Sequence, residues 1–458
     1  MNSIWQPIFD KAMPPVYRQD EAGRSLFYAP GLLVVVPATI ASNFQAAITN
    51  PECGSWPEAI ELRRQAVEAQ KAWESLQTTA FAPVCLTLYL NNVCNLNCVY
   101  CFSKPYRSAR TRLSLDMICA AAEIVAANCR THRRPLTVVF HGGGEPTLDY
   151  EVIRQALSAL NGIAARYSLE LFRYIATNAV MPPARAYDLA TRFDLIGLSC
   201  DGPPEIQNLQ RPLHKQNKHI SSWFIEQTAQ AIHRAGKPLH VRVTITPETS
   251  HRQAEIAEYI CQMLRPQEVH VEPVYAVDGN KTKIKFDPVH AERYVSAFLE
   301  ARHVAQKYGV CWRASGSRPA EIHSAYCHIW RNVLNLTPEG VATLCFQLSD
   351  ANSVYQQHLE LGEWDAQKSC FKLNTNHVQN FQQAIHVEPE ACTLCFNRHH
   401  CARECPDICI LKSGYKTGGF RCRVQSMLTE ALIQETADAL CLHSNIDHPV
   451  LGKLPEHP

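Results

Sequence analysis

The stretch Leu86-Thr-Leu-Tyr-Leu-Asn-Asn-Val-Cys-Asn-Leu-Asn-Cys-Val-Tyr-Cys-Phe102 decides how this chain is read. Its first half is an apolar alternating run of the kind that forms a strand. Its second half holds Cys94, Cys98 and Cys101 in the spacing C-x3-C-x2-C. A tight loop at a strand end can point three such thiolates at one iron–sulfur cluster while the fourth metal corner receives no nearby protein ligand. An open corner is what separates a metal site that binds a reactant from a closed structural one.

The rest of the composition frames that loop. At 458 residues the chain is too long for one ordinary core and predicts two or three domains. Hydrophobic residues at 46% and charged residues at 19% describe a globular protein with ample material for burial. With 44 Lys+Arg against 43 Asp+Glu, no overall basic field selects nucleic acid or an anionic membrane as a partner. No run approaches the length of a membrane span, and Met1 to Tyr17 lacks the build of a secretory signal, so a cytoplasmic location is expected. In that reducing compartment 20 cysteines point to metal ligation over a disulfide framework. Cys85, Cys119, Cys129, Cys261 and Cys441 have apolar neighbours and read as core residues.

Strand-like runs at 84–90, 136–141, 169–177, 195–199, 239–246 and 269–274 alternate with helix-like spans at 114–128, 150–166 and 220–235. This alternation predicts an α/β fold with a parallel sheet and helical crossovers, with sites gathered at the carboxyl ends of the strands. Residues 1–80 read as a separate β/α appendage, with two strands about Pro30-Gly31 and a helix over 57–76.

Polar residues cluster after the strand-like runs. The loop His141-Gly-Gly-Gly-Glu-Pro-Thr147 lets backbone approach a ligand at positive φ, with His141 either a ligand or a buried core residue. Thr177 and Asn178 end the third run, and Ser199-Cys-Asp-Gly202 ends the fourth. Arg242 and Thr244 share one face of the fifth and point either to a cofactor or to a solvated wall. Glu272 is a candidate substrate contact, with a surface role as the alternative. Lys104, Arg107, Arg110 and Arg112 form a basic run that is either a solvated face or a surface for an acidic peptide or reductant. In the second half Cys327, Gly340 and Cys345 precede Cys392, Cys395, Cys401 and Cys405, spaced C-x2-C-x5-C-x3-C, and then Cys422. A zinc ribbon would use four of these, and seven exceed one zinc site.

Together the cysteine loop, with Tyr100 and Phe102 in and after it, and the Gly-Gly-Glu-Pro, Thr-Asn and Ser-x-Asp-Gly elements resemble the radical S-adenosylmethionine (radical SAM) superfamily. The later cysteines resemble its auxiliary SPASM domain, and the likeness spans about residues 84–422. It implies a partial (β/α)6 TIM-like barrel over 81–305, a cysteine-rich SPASM domain over 306–422, and a helix and tail over 423–458. It implies a [4Fe-4S] cluster on Cys94, Cys98 and Cys101, and S-adenosylmethionine held by Tyr100, Phe102, Gly143, Gly144, Glu145, Thr177, Asn178, Ser199 and Asp201. Two auxiliary [4Fe-4S] clusters follow, an outer one on Cys392, Cys395, Cys401 and Cys422 and an inner one on Cys327, Cys345 and Cys405. The inner set is one ligand short, either completed by Cys311 or open to a substrate thiolate, while Cys370 and Cys409 have no place in the pattern.

The activity implied is that of a peptide maturase. A 5′-deoxyadenosyl radical abstracts hydrogen from a ribosomally made precursor peptide, with a flavodoxin- or ferredoxin-type reductant as partner and residues 1–80 as a possible leader-peptide recognition element. Anaerobic sulfatase maturases share the layout but carry an Asp after the cysteine corresponding to Cys345. Phe346 cannot accept a proton, which favours a carbon–carbon or thioether crosslink over formylglycine formation. An iron–sulfur carrier or scaffold is a reading of another class, and it has no need of the glycine loop.

Overall fold

The computed structural model describes residues 5–10, 13–53, 56–103, 111–214, 220–275, 284–323, 326–327, 329–346, 359–405 and 417–442. Strands β1 (Gln6–Asp10), β2 (Met13–Glu21), β3 (Arg24–Ala29) and β4 (Leu32–Pro37) form an antiparallel sheet in that order. Only the last two and their Gly31 turn, at φ 89°, were legible in the sequence. The helix Pro57–Thr78 follows, close to the expected 57–76, with Ala41–Thr49 ahead of it.

Alternation along β2 and β3 divides this sheet into two buried faces. Val16, Phe27 and Ala29 pack with Phe44 and Leu62 of the module's own helices. Tyr17, Leu26 and Tyr28 pack instead with Phe396, Ile433 and Ala437. The appendage therefore docks on the cysteine-rich segment and the last helix as well as on its own helices.

Among the described residues a second sheet of 11 strands carries the site. Its centre is β5 (Cys85–Leu88), β6 (Leu136–Phe140), β7 (Leu171–Thr177), β8 (Leu195–Ser199), β9 (Leu239–Ile245) and β10 (Glu268–Pro273), all parallel and adjacent in chain order. These are the six expected β/α units. The helix Leu115–His132 shows why the sequence builds them. Ser114 Oγ accepts from the Met117 amide at its start, and Ile118, Ala121, Ala122, Val125, Ala126 and Cys129 make one buried stripe. Arg133, at φ 52°, ends it in the left-handed conformation.

Two short parallel strands extend the sheet on either edge. β11 (Cys311–Ala314) pairs with β10, and β12 (Val333–Leu336) pairs with β5. From β12 the sheet turns antiparallel through β13 (Val341–Thr343), β14 (Glu360–Asp365) and β15 (Cys370–Leu373). The cysteine-rich region thus continues the barrel sheet itself. Along β9, Leu239, Val241, Val243 and Ile245 are buried while His240, Arg242 and Thr244 lie on the opposite face. That face is concave, since Arg242 comes close enough to His141, beyond the end of β6, to perturb it electrostatically. Helix Phe420–Leu442 closes the fold and begins before the expected 423, so Cys422 sits in its first turn.

Candidate active site

The cysteine loop leaves β5 at its carboxyl end and is held by backbone from two directions. The Gly144 amide donates to Asn91 O (2.7 Å) and the Glu145 amide to Val93 O (2.7 Å), while the Val99 amide donates to Gln210 O (2.9 Å) and the Asn97 amide to Pro212 O (2.8 Å). Asn91 Nδ2 adds bonds to Glu145 O (3.1 Å) and Asp149 Oδ2 (2.6 Å). Cys94 Sγ accepts from Asn178 Nδ2 (3.5 Å). Burial pushes the Cys98 thiol up to about 12, and both Cys101 and Cys94 lie near enough to act on it.

The glycine loop is close-packed against this one. A Cβ at Gly143, at φ 65°, would stand 2.6 Å from Asn91 O, and one at Gly144 would stand 2.0 Å from Val93 O. Glycine is therefore required first by contact with the cysteine loop's own backbone, a reason the sequence reading, which looked to a ligand, did not supply. Glu145 joins three strand ends. Its Oε1 accepts from Thr147 Oγ1 (2.6 Å) and Thr177 Oγ1 (2.6 Å), and its Oε2 from the Asn178 amide (2.8 Å). Burial raises its pKa against the pull of those hydrogen bonds.

Tyr100 and Asp201 meet beneath the loop. Asp201, 0% exposed, accepts from Tyr100 Oη, from Arg211 Nε (2.9 Å) and from the Thr244 amide (3.0 Å). The Arg211 guanidinium lies 5.3 Å from the Tyr100 ring centroid. Both side chains are thus engaged by protein groups. Arg211 is the member the sequence reading missed, because nothing near it in the chain marks it. Phe102 lies 6.3 Å from Tyr275, and Ser199 ends β8 partly buried. Of the basic run only Arg112 falls among the described residues, where its Nε pairs with Asp149 Oδ1 at 2.6 Å; Lys104, Arg107 and Arg110 lie outside them, as does Cys409.

On the face of β9 that carries Arg242 is a cluster of polar side chains. Arg242 belongs to it, beside Tyr174, Tyr275, Tyr326 and Glu272, and those neighbours raise its pKa despite burial. His141 is held neutral, its pKa lowered to about 3 by burial and by Arg242. The Tyr275 and Tyr326 hydroxyls are 3.0 Å apart. The surface alternative for Glu272 is excluded, since it is 5% exposed. Neither of its carboxylate oxygens has a hydrogen-bond partner among the described residues. Arg421 Nη1 stands 3.7 Å from Glu272 Oε2, and Arg421 Nη2 donates to Pro273 O (2.8 Å). A buried carboxyl group with so few partners is uncommon in a folded protein.

The later cysteines lie near one another in two sets. Cys422 perturbs Cys392, Cys395 and Cys401, while Cys405 senses Cys327 and Cys345. No three of these sulfurs lie within 4.8 Å of one another among the described residues. Cys311 is set apart from the inner trio. It opens β11 level with Glu268, at the amino end of the strands, whereas the trio lies toward the carboxyl ends near Tyr89. The two ends of a strand cannot serve one cluster.

Residues 88–260 match the Radical SAM superfamily. This stretch is a radical SAM domain, and the chain that carries it is an enzyme. No curated protein matches it by sequence. Among solved structures it is similar to anSMEcpe with bound AdoMet and Cp18Cys peptide, at TM-score 0.61 and 18% identity over 79% of this chain and 99% of that one. It is also similar to SuiB of Streptococcus suis bound to precursor peptide SuiA, at TM-score 0.52 and 14% identity over 85% of this chain and 94% of that one. At such identities the likeness is one of fold.

Proposed function

We propose that the protein is a cytoplasmic SPASM-type maturase that crosslinks a ribosomally made peptide, taking electrons from a flavodoxin- or ferredoxin-type reductant. The observation that carries this reading is the buried cluster of Glu272, Arg242, Tyr275 and Tyr326, next to Phe102 of the cysteine loop and to Cys327. Peptide substrates bound to anSMEcpe and SuiB support it.

Cys94, Cys98 and Cys101 would hold a [4Fe-4S] cluster that, with S-adenosylmethionine, supplies one-electron chemistry able to activate a substrate C–H bond. The chain's own part is positioning. Glu145 locks the loops after β6 and β7 together, and Asn178 reaches from there to Cys94 and to Asn95 Oδ1 (2.7 Å), fixing the rim on which Gly143, Gly144, Thr177 and Ser199 would meet a cofactor. As the new bond forms, one hydrogen atom would leave to the adenosyl carbon, a proton to Glu272, with Arg421 beside it, and the remaining electron to an auxiliary cluster. Tyr89 neighbours Tyr275 of this cluster and both Cys327 and Cys345, its hydroxyl donating to Phe346 O (2.6 Å). Cys392, Cys395, Cys401 and Cys422 would close an outer auxiliary cluster, and Cys327, Cys345 and Cys405 would leave the inner one an open corner for a peptide thiolate. The β1–β4 module would receive the leader.

Co-expression with a candidate precursor peptide tests the reading. The product expected by mass spectrometry has lost two hydrogen atoms, resists separation of the joined residues by proteolysis, and does not react with a hydrazide. A hydrazide-reactive aldehyde would mean formylglycine formation and refute crosslinking.

A further inference from the structure

At the amino ends of β9 and β10, away from the cysteine loop, His240, Glu268 and His270 have no part in the chemistry above. His240 is the register partner of Glu268, and Glu268 and His270 are two apart on β10, so all three project from the concave face. One ligand atom from each lies within 4.8 Å of the other two. His270 Nε2 is 2.6 Å from Glu268 Oε1, and the two imidazole rings lie 6.0 Å apart at a 38° tilt.

We propose that His240, Glu268 and His270 form a binding site for a divalent cation of the zinc class. Two imidazoles and one carboxylate are the donor set that borderline cations prefer over calcium or magnesium. A simple ion pair would satisfy His270 and Glu268 and leave no reason for the third residue, and His240 makes no hydrogen bond among the described residues. The remaining carboxylate oxygen is already engaged, since Arg313 Nε stands 3.1 Å from Glu268 Oε2. That is the outer hydrogen bond that orients a ligating carboxylate and leaves its other oxygen facing the metal.

Arg313 also donates to Cys311 Sγ (3.1 Å), and Cys311 is the register partner of Glu268 on β11. A thiol therefore borders the site on the third strand. A cation here would tie β9 and β10, with Cys311 at hand to include β11, the last strand on this edge of the sheet. The site is a pin for that edge, built on strands that hold its ligands in place.

The test uses holoenzyme with its full iron and sulfide content, incubated with zinc and desalted. One zinc per chain should be retained with iron unchanged, and His240→Ala, His270→Ala and Glu268→Gln should each abolish retention while iron stays constant. Zinc-edge X-ray absorption should show imidazole nitrogen and oxygen, with one sulfur if Cys311 joins. Failure of the wild type to retain zinc would overturn the proposal. Equal retention in a His240→Ala/His270→Ala double variant, or a shell of sulfur alone, would do the same. None of these readouts depends on peptide modification, so the site stands or falls apart from the proposed function.

Discussion

At the scale of single residues, Glu272 is the group whose environment is hardest to explain without a substrate. Replacing it by Gln keeps the volume and removes the basicity. Glu272→Gln should lower peptide turnover by about 10²- to 10⁴-fold, as loss of a general base does, while S-adenosylmethionine cleavage and iron content persist. Equal loss of cleavage and turnover would assign it a structural role. His141 and His400 give a second prediction. His400 Nδ1 lies 2.6 Å from Glu321 O and so carries the proton, leaving Nε2 to accept from Tyr28 Oη at 2.7 Å. Burial lowers its pKa to about 4, and burial with Arg242 lowers that of His141 to about 3, against an ordinary 6.5. The unfolded chain therefore binds protons that the folded chain refuses. Their contribution to stability is fully present above pH 6.5 and is lost as pH falls toward 4. Denaturant midpoints across that range should fall with pH, and His400→Gln should flatten the slope.

At the scale of elements, the two loops above β5 and β6 behave as one body. A Gly143→Val side chain would drive into Asn91 O, so both the first cluster and the cofactor should suffer. About a third of the iron should be lost along with S-adenosylmethionine affinity, and full iron with lost affinity would restore the purely ligand-based account. Cys311→Ala should leave every cluster spectrum unchanged, since β11 presents that residue at the far strand ends, while a cysteine-containing peptide should alter the inner cluster's signal. A spectrum changed by Cys311→Ala would mean that the inner corner is closed by protein. The sequence made the six central strands and the cysteine sets readable because alternation and spacing are local signals. It hid β11 and β12, four residues each with Arg313 and Asn335 inside them, since runs so short carry no period. Arg211 was hidden for another reason: its partners Tyr100 and Asp201 are brought to it only by the barrel.

At the scale of the whole molecule, the β1–β4 module and the outer cysteines are mechanically joined. The Phe396 ring stacks 6.0 Å from Trp5 and meets Tyr17 edge-on at 6.4 Å, directly after Cys395. Arg398 and Arg403 lie over Trp73 at 4.5 and 5.3 Å, and both pair with Glu388. Phe396→Ala should cost about 3–5 kcal/mol at this junction. The expected result is faster proteolysis of the first 80 residues together with loss of iron from the outer set alone. Loss of one without the other would show the two to be independent. The docking of the appendage was not legible, because a strand buried on both faces reads only as apolar, and its second partner lies more than 370 residues away.

That separation bears on how the protein is made. While the ribosome is still translating the barrel, Tyr17, Leu26 and Tyr28 have nowhere to bury one side of their sheet, for Phe396 and Ile433 do not yet exist. The nascent chain carries this apolar patch exposed until Phe396 and Ile433 have been made, and the module acquires its second core only with helix Phe420–Leu442. Packing around Cys392, Cys395, Cys401 and Cys422 is thereby deferred until the barrel strands have been made.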